Sequence, residues 1–249
     1  MRFRISLHPE KDKFKLPYNY NYPLASAIYS FLGRGDASFS DFLHDEGFYH
    51  DGKTFKLFTF SPLFCSQRKA VKDGLLIKGK IDWFISSPRE EFVSGLARGI
   101  LQQGFLSFRD QRLIVEQVEV LSQPSFQSRM SFRTLSPIVV STGDMNSNGK
   151  FHKTYLSPEE PEFGRILEAN LRRKYKACYG EEPSPEGISL KLLRTPQSKL
   201  LDYKGIKVRG WFMHFIAQGN PDLIKIGYEA GFGENNSAGF GMVEVRQIS

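Results

Sequence analysis

Residues 2–8 alternate charged or polar side chains with apolar ones, Arg2-Phe3-Arg4-Ile5-Ser6-Leu7, as a strand with one buried face does. After Pro23 the period changes. Leu24, Ala27, Ile28, Phe31 and Leu32 recur at helical spacing, with proline suited to the first turn, Tyr29 at the margin of the buried face and Gly33-Arg34-Gly35 as the stop. A short helical piece over 38–44 follows, then a strand over 57–61. Gln67 to Gly74 reads as a loop holding Arg68, Lys69 and Lys72, and the chain returns as a strand over 75–85, so this stretch is expected to be a hairpin with a basic tip. Ser87-Pro88-Arg89-Glu90 opens a second helix, with Phe92, Val93, Leu96, Ala97, Ile100 and Leu101 on its apolar side, and 113–121 is a further strand. The order is β-α-β-β-α-β, the split βαβ or ferredoxin-like unit.

Gln123-Pro124-Ser125 reads as a linker, after which the pattern restarts. A strand over 132–141, a polar loop over 142–150 and a helix over 159–178 are expected. Phe163, Ile166, Leu167, Leu171 and Tyr175 form the apolar side of that helix; Arg172, Arg173, Lys174 and Lys176 sit at its C-terminal end, where cations complement the helix dipole. Strands over 188–193 and 207–217, a helix over 221–228 and a strand over 242–247 complete the second unit. In the 207–217 strand Val208, Gly210, Phe212, His214 and Ile216 are expected on one face. The fold class is therefore α+β, tandem ferredoxin-like, with domains over 1–123 and 124–249. The two halves share a pattern and no clear sequence repeat.

Composition narrows the function classes. The chain has 249 residues, 40 % of them hydrophobic and 22 of them Phe, enough for real cores and unlike a disordered protein. A formal net charge of +7 favours an anionic partner, nucleic acid being the commonest. Cys65 and Cys178 lie far apart and outside any CxxC arrangement, which supports neither a disulfide framework nor a cysteine zinc site. His44-Asp45-Glu46 has no second histidine at ligand spacing. The N-terminus is unlike a signal peptide and no apolar run has membrane-spanning length, so a cytoplasmic protein without a metal or other cofactor is expected.

The densest motif is Gly231-Phe232-Gly233-Glu234-Asn235-Asn236-Ser237-Ala238-Gly239-Phe240-Gly241. Glycine admits positive φ and close backbone approach, and successive exposed N–H groups can cradle a phosphate. Gly231, Gly233, Asn235, Asn236, Ser237, Gly239 and Gly241 are thus candidate phosphate contacts, joined by Arg68, Lys69 and Lys72. The phenylalanines either anchor the block in a core or stack on a base. It is no dinucleotide fingerprint, because Asn236 stands where the third glycine belongs. Gly74-Leu75-Leu76-Ile77-Lys78-Gly79-Lys80-Ile81 has Walker-like spacing, but Ile81 replaces the magnesium-binding hydroxyl and the segment alternates like a strand. A groove between two such sheets in a basic protein suits a nucleic-acid backbone, although the stacking signature of an RRM is absent.

Taken together, several segments resemble the CRISPR-associated endoribonucleases of family six, within the wider repeat-associated RNA-binding superfamily. They are Met1-Arg2-Phe3-Arg4-Ile5, Leu16-Pro17-Tyr18-Asn19-Tyr20, Phe42-Leu43-His44, Lys56-Leu57-Phe58-Thr59-Phe60-Ser61, Leu135-Ser136-Pro137-Ile138 and the block from Gly227 through Gly241. The resemblance implies tandem ferredoxin-like domains and metal-independent cleavage of CRISPR precursor RNA within each repeat. The 2′-hydroxyl attacks the neighbouring phosphate, leaving a 2′,3′-cyclic phosphate and a 5′-hydroxyl. It implies a tyrosine, a histidine and a lysine at the cut, which by matching position are Tyr29, His44 and Lys56. In that assignment His44 protonates the departing 5′-oxygen, Lys56 stabilises the crowded phosphate, and Tyr29 positions or deprotonates the 2′-hydroxyl; the roles of Tyr29 and His44 are interchangeable at this level. Taken alone, His44 is a solvated helix end and Tyr29 a core-edge aromatic, while His50 and Lys53 are the nearest competitors. The alternative is a repeat-RNA-binding subunit of a CRISPR ribonucleoprotein complex that does not cut; the presence of all three side chains favours the enzyme.

Overall fold

The computed structural model describes residues 1–145 and 151–247. In the N-terminal half, Arg2–Pro9 is the central strand of an antiparallel sheet ordered Phe14–Leu16, Gly74–Ser86, Arg2–Pro9, Gln111–Leu121, Phe105–Phe108; Thr59–Phe60 and Phe64–Val71 also pair with Gly74–Ser86. Helices α1 (Asn21–Gly35) and α3 (Glu90–Gln103) cover it, and α2 (Ala37–Asp45) follows α1 directly. Phe3, Ile5, Leu7, Trp83, Ile85, Ile28, Phe31 and Leu96 meet in the core between them. α1 and α3 approach through glycine. A Cβ on Gly99 would lie 1.8 Å from the Phe31 carbonyl oxygen, and one on Gly35 would lie 1.9 Å from that of Gly95.

The C-terminal half repeats the arrangement. Its sheet is ordered Ile188–Leu192, His214–Gly219, Arg129–Thr134, Val243–Arg246, and α4 (Pro161–Tyr179) and α5 (Pro221–Ala230) cover one face. Pro161 opens α4 and Gly180, at φ 76°, ends it. Phe132, Leu167, Leu171, Phe215, Leu223 and Phe232 form the second core. Among the described residues no helix is long and apolar enough to cross a membrane.

Several local expectations are corrected. Arg68 and Lys69 are not in a loop: they lie within Phe64–Val71, opposite Ile77 and Leu76, and the turn is confined to Lys72 and Asp73. The 207–217 strand divides at Met213. Ile206–Phe212 leaves the sheet to pair with Gln197–Tyr203, an unanticipated strand, and only His214–Gly219 stays in the sheet. Of the loop expected over 142–150, Ser141–Met145 pairs with Phe151–Tyr155, and 146–150 lies outside the described residues. The small hairpin Phe48–His50 with Lys53–Phe55 was also not anticipated.

The two halves are joined by buried polar contacts to backbone. The Arg2 guanidinium donates to the carbonyls of Val243 and Tyr228 and lies 3.7 Å over the Tyr228 ring. Thr59 Oγ1 donates to the Phe240 carbonyl and Asn21 Nδ2 to that of Ala238. Within the C-terminal half, behind this junction, lies Lys174, which is 2 % exposed. Its Nζ donates to the carbonyls of Gly231 at 2.6 Å and Gly233 at 2.7 Å and to Asn236 Oδ1 at 2.6 Å. Burial lowers this ammonium to about 7, with Glu234 opposing. Three converging acceptors need three N–H donors, which only the charged form supplies, so the geometry decides for the ammonium.

Two outcomes follow for stability. Lys174→Met orphans three buried acceptors and should lower unfolding free energy by roughly 3 kcal/mol, at about 1 kcal/mol or more each; Lys174→Arg should not restore it, because a planar fork cannot meet three acceptors around one nitrogen. Gly99→Ala should force α1 and α3 apart at a cost of about 1–3 kcal/mol. Urea and thermal unfolding of the purified variants check both.

Candidate active site and nucleic-acid interface

Three separate elements deliver Tyr29, His44 and Lys56 to one place. Tyr29 lies on α1, half-buried beside Leu24, Ile28 and Phe31, which face the core. Asp36 then caps α2 by accepting from the Phe39 N–H, and buried Leu43 seats that helix so that His44 falls in its last, exposed turn. Gly47, at φ 72° and with room for no Cβ against the Phe55 carbonyl, lets the chain reverse into the Phe48–Phe55 hairpin. Phe42 packs edge-on against Phe48 with ring centroids 5.3 Å apart, holding hairpin to helix. The hairpin returns the chain to Lys56. Leu57 follows at φ 51°, a left-handed conformation that is unfavourable for a branched apolar residue and is held here by its burial.

The resulting geometry is compact. The Tyr29 and His44 rings meet edge to face at 5.6 Å, and Tyr29 rests on Phe58 at 5.9 Å. Lys56 Nζ donates to the His44 backbone carbonyl at 2.8 Å. His44 Nδ1 lies 2.8 Å from Asp45 Oδ1, leaving Nε2 directed away from that contact, and its side chain is 72 % exposed. Burial, with a smaller contribution from Tyr203, pushes the Tyr29 phenol up to about 12. Burial lowers the Lys56 ammonium, and Asp45 opposes it. The competitors differ: Lys53 pairs with His50 across the hairpin and lines the same cavity as Lys56 without the bond that Lys56 makes to His44, and His50 lines a separate surface depression with Asp51, Arg172 and Arg173.

The glycine-rich block differs from an open phosphate cradle. Phe232 and Phe240 are fully buried and anchor it in the cores. Five of its N–H groups already donate within the protein: Phe232 to Gly241, Glu234 to Val139, Ala238 to Asn235, Gly239 to Asn236 and Gly241 to Pro137. Gly231, Gly233, Gly239 and Gly241 are buried at positive φ, and a Cβ on Gly241 would stand 2.0 Å from the Phe232 carbonyl oxygen. Glycine is required here for close packing. Asn236 is also buried and donates to the carbonyls of Phe232 and Phe240. Asn235 is exposed and Ser237 half-buried, so these two carry the block's polar surface toward Lys56 across a cavity of about 330 Å³.

Of the expected basic contacts, Arg68 lines a second groove of about 470 Å³ between the two sheets, with Tyr20, Phe64, Arg133, Arg194 and Phe212. Lys69 and Lys72 are exposed on the strand and turn beyond it and do not line the groove. His214 also borders it; burial and then Arg194, Arg133 and Arg246 lower its imidazole below the usual range.

Sequence reasoning missed Lys174 by grouping it with the terminal cations of α4. Those neighbours are surface-paired: Arg172 with Glu168 and Arg173 with Asp51. The signal was present in the spacing, since Leu167, Leu171, Lys174 and Cys178 fall at i, i+4, i+7 and i+11 on one buried face.

Comparison with known proteins agrees with this architecture. The family model described as CRISPR-associated protein Cas6, N-terminal, matches residues 15–119, and that described as CRISPR associated protein Cas6, C-terminal, matches residues 121–245. The CRISPR-associated endoribonuclease Cas6 of Pyrococcus furiosus is 36 % identical over 98 % of this chain and 90 % of its own length. The CRISPR-associated endoribonuclease Cas6 1 of Methanocaldococcus jannaschii is 36 % identical over 96 % and 91 %. A solved structure of a Cas6-related protein from Pyrococcus furiosus superposes with a TM-score of 0.89 at 28 % identity, covering 100 % of this chain and 99 % of the other. With both family models matched along nearly its whole length and its tandem ferredoxin-like fold shared, this chain belongs to the Cas6 family of CRISPR-associated proteins.

Proposed function

We propose that this chain is an endoribonuclease that cuts CRISPR precursor RNA within its repeats, without a metal ion, to release guide RNAs in the cytosol. The observation that carries the reading is the convergence of a phenol, an imidazole and an ammonium from three elements onto one exposed surface, with 5.6 Å between the Tyr29 and His44 rings and Lys56 bonded to the His44 backbone. The catalytic endoribonucleases named among its relatives support it.

In the reaction, the 2′-hydroxyl oxygen attacks the adjacent phosphorus, its proton passes to a solvent water, and the bond to the 5′-oxygen breaks. His44, exposed and with Nε2 directed away from Asp45, donates a proton to that 5′-oxygen. Lys56 stabilises the negative charge that accumulates on the phosphoryl oxygens. Tyr29, held neutral by burial, hydrogen-bonds and orients the attacking hydroxyl. The groove between the sheets receives unpaired nucleotides, with Arg68, Arg133 and Arg194 on phosphates and Tyr20, Phe64 and Phe212 offering faces to bases. Asn235 and Ser237 contact the strand nearer the cut. The reading divides the chain at 123/124 into a catalytic and an RNA-gripping unit that share this path.

His44→Ala should lower the single-turnover rate on a labelled repeat RNA in EDTA by about 10²–10⁴-fold, with RNA affinity within a few-fold of wild type. A 2′-deoxy substitution at the cut should abolish cleavage in both. Tight binding with no cut by the wild type on its own host's repeat would make the chain an RNA-holding subunit instead. Tyr29→Phe should slow cleavage while leaving the shape of the pH–rate profile between pH 6 and 10 unchanged; loss of an alkaline limb in the variant would show that Tyr29 acts as the base.

A further inference from the structure

The cavity beside Lys56 is bordered by a residue with a polar atom that no described residue satisfies. One wall is the 53–58 segment and the other the exposed edge of the glycine block at Asn235 and Ser237. Its floor is α4, which presents Asn170 and, one turn on, Lys174. The two differ in kind. Lys174 spends all three N–H donors on the glycine block. Asn170 is 7 % exposed, and its side-chain oxygen has no hydrogen-bond partner among the described residues.

A buried acceptor without a partner destabilises the free protein, and such groups are rare in native folds. Asn170 borders a cavity of about 330 Å³, roomy enough for a nucleobase, whose lining carries Lys53 and Lys56 to meet flanking phosphates beside the carboxylate of Glu234. A carboxamide offers an acceptor beside a donor. That pair matches the amino group and ring nitrogen on one edge of adenine, the partner asparagine reads bidentately in nucleic acids. Because Lys56 lines the same cavity, a base seated there belongs to a nucleotide next to the scissile phosphate.

We propose that Asn170 is a specificity-determining residue that reads an unpaired adenine flanking the cut, seated in this cavity with its edge against the carboxamide. The inference rests on the ribonuclease reading of Tyr29, His44 and Lys56 and assigns that site a base preference. Lys174 holds the far wall and Asn170 supplies the recognition.

The test uses the full chain and the repeat RNA of its host's array, with the nucleotide on each side of the cut varied in turn to all four bases. Wild type should favour adenine at one of these positions by roughly tenfold or more in kcat/KM. Asn170→Ala and Asn170→Leu should erase that preference, bringing the adenine substrate down to the level of the others, while Tm stays level or rises because an orphaned acceptor has gone. A purely structural asparagine would instead lower Tm and slow all four substrates alike. The inference is overturned by that result, by an unchanged base profile in the variants, or by a wild type without adenine preference at either position. Equilibrium binding of the same RNAs, blocked by a 2′-deoxy linkage, separates the two readings. If wild type binds them without cutting the unblocked set, the ribonuclease assignment falls. The adenine preference in binding, and its loss in the variants, then still decides Asn170.

Discussion

The ammonium of Lys174, sealed between α4 and the glycine-rich block, is the contact on which the rest of the molecule depends. Three backbone and side-chain oxygens point at one nitrogen. Pulling them together bends the block back on itself, which places glycine at positive φ and at contact distances no side chain tolerates. The folded block then presents the carbonyls of Phe240 and Ala238 to Thr59 and Asn21 of the other half. The buried charge thus holds the block whose outer side meets the N-terminal half and whose edge borders the cavity beside Lys56.

The catalytic candidates are held by a different logic. Aromatic packing and one hydrogen bond to backbone fix Tyr29, His44 and Lys56, rather than a network among their functional groups. Tyr29 is wedged between His44 and Phe58, and Lys56 is tethered to the carbonyl of His44. The arrangement leaves the imidazole accessible to a large substrate while keeping the phenol in a low-dielectric margin, where it stays neutral. Apolar support behind an exposed reactive edge suits a site whose substrate supplies its own nucleophile: the protein has to orient, neutralise and protonate, and needs no covalent partner of its own.

Much of this was legible in periodicity. The helices began and ended within a few residues of their apolar stripes, because Leu24, Ile28, Phe31 and Leu32, or Phe163, Leu167 and Leu171, have one way of reaching a core at helical spacing. The strands were less legible where alternation continued across a change of partner. Val208 to Ile216 is apolar-rich and reads as one strand, yet the backbone changes sheets at Met213, since pairing is a property of two strands and only one is visible locally. Arg68 and Lys69 looked like loop residues because they are charged, but an edge strand carries such side chains on its open faces. Lys174 was hidden by its charged neighbours.

The sequence by itself determined the two β-α-β-β-α-β units, their cores, the basic character of the chain and, through resemblance, the three side chains proposed for the chemistry. These depend on residue type and spacing, which are local quantities. Tertiary structure alone decided that the glycine-rich block is a buried clasp with a polar rim, that Lys174 is its centre, that Lys56 rather than Lys53 meets His44, and that Asn170 borders a cavity with its oxygen unpaired among the described residues. Each of those turns on which distant groups share a volume from which water is excluded. There a single unmatched donor or acceptor carries an energy that no local pattern in the chain records.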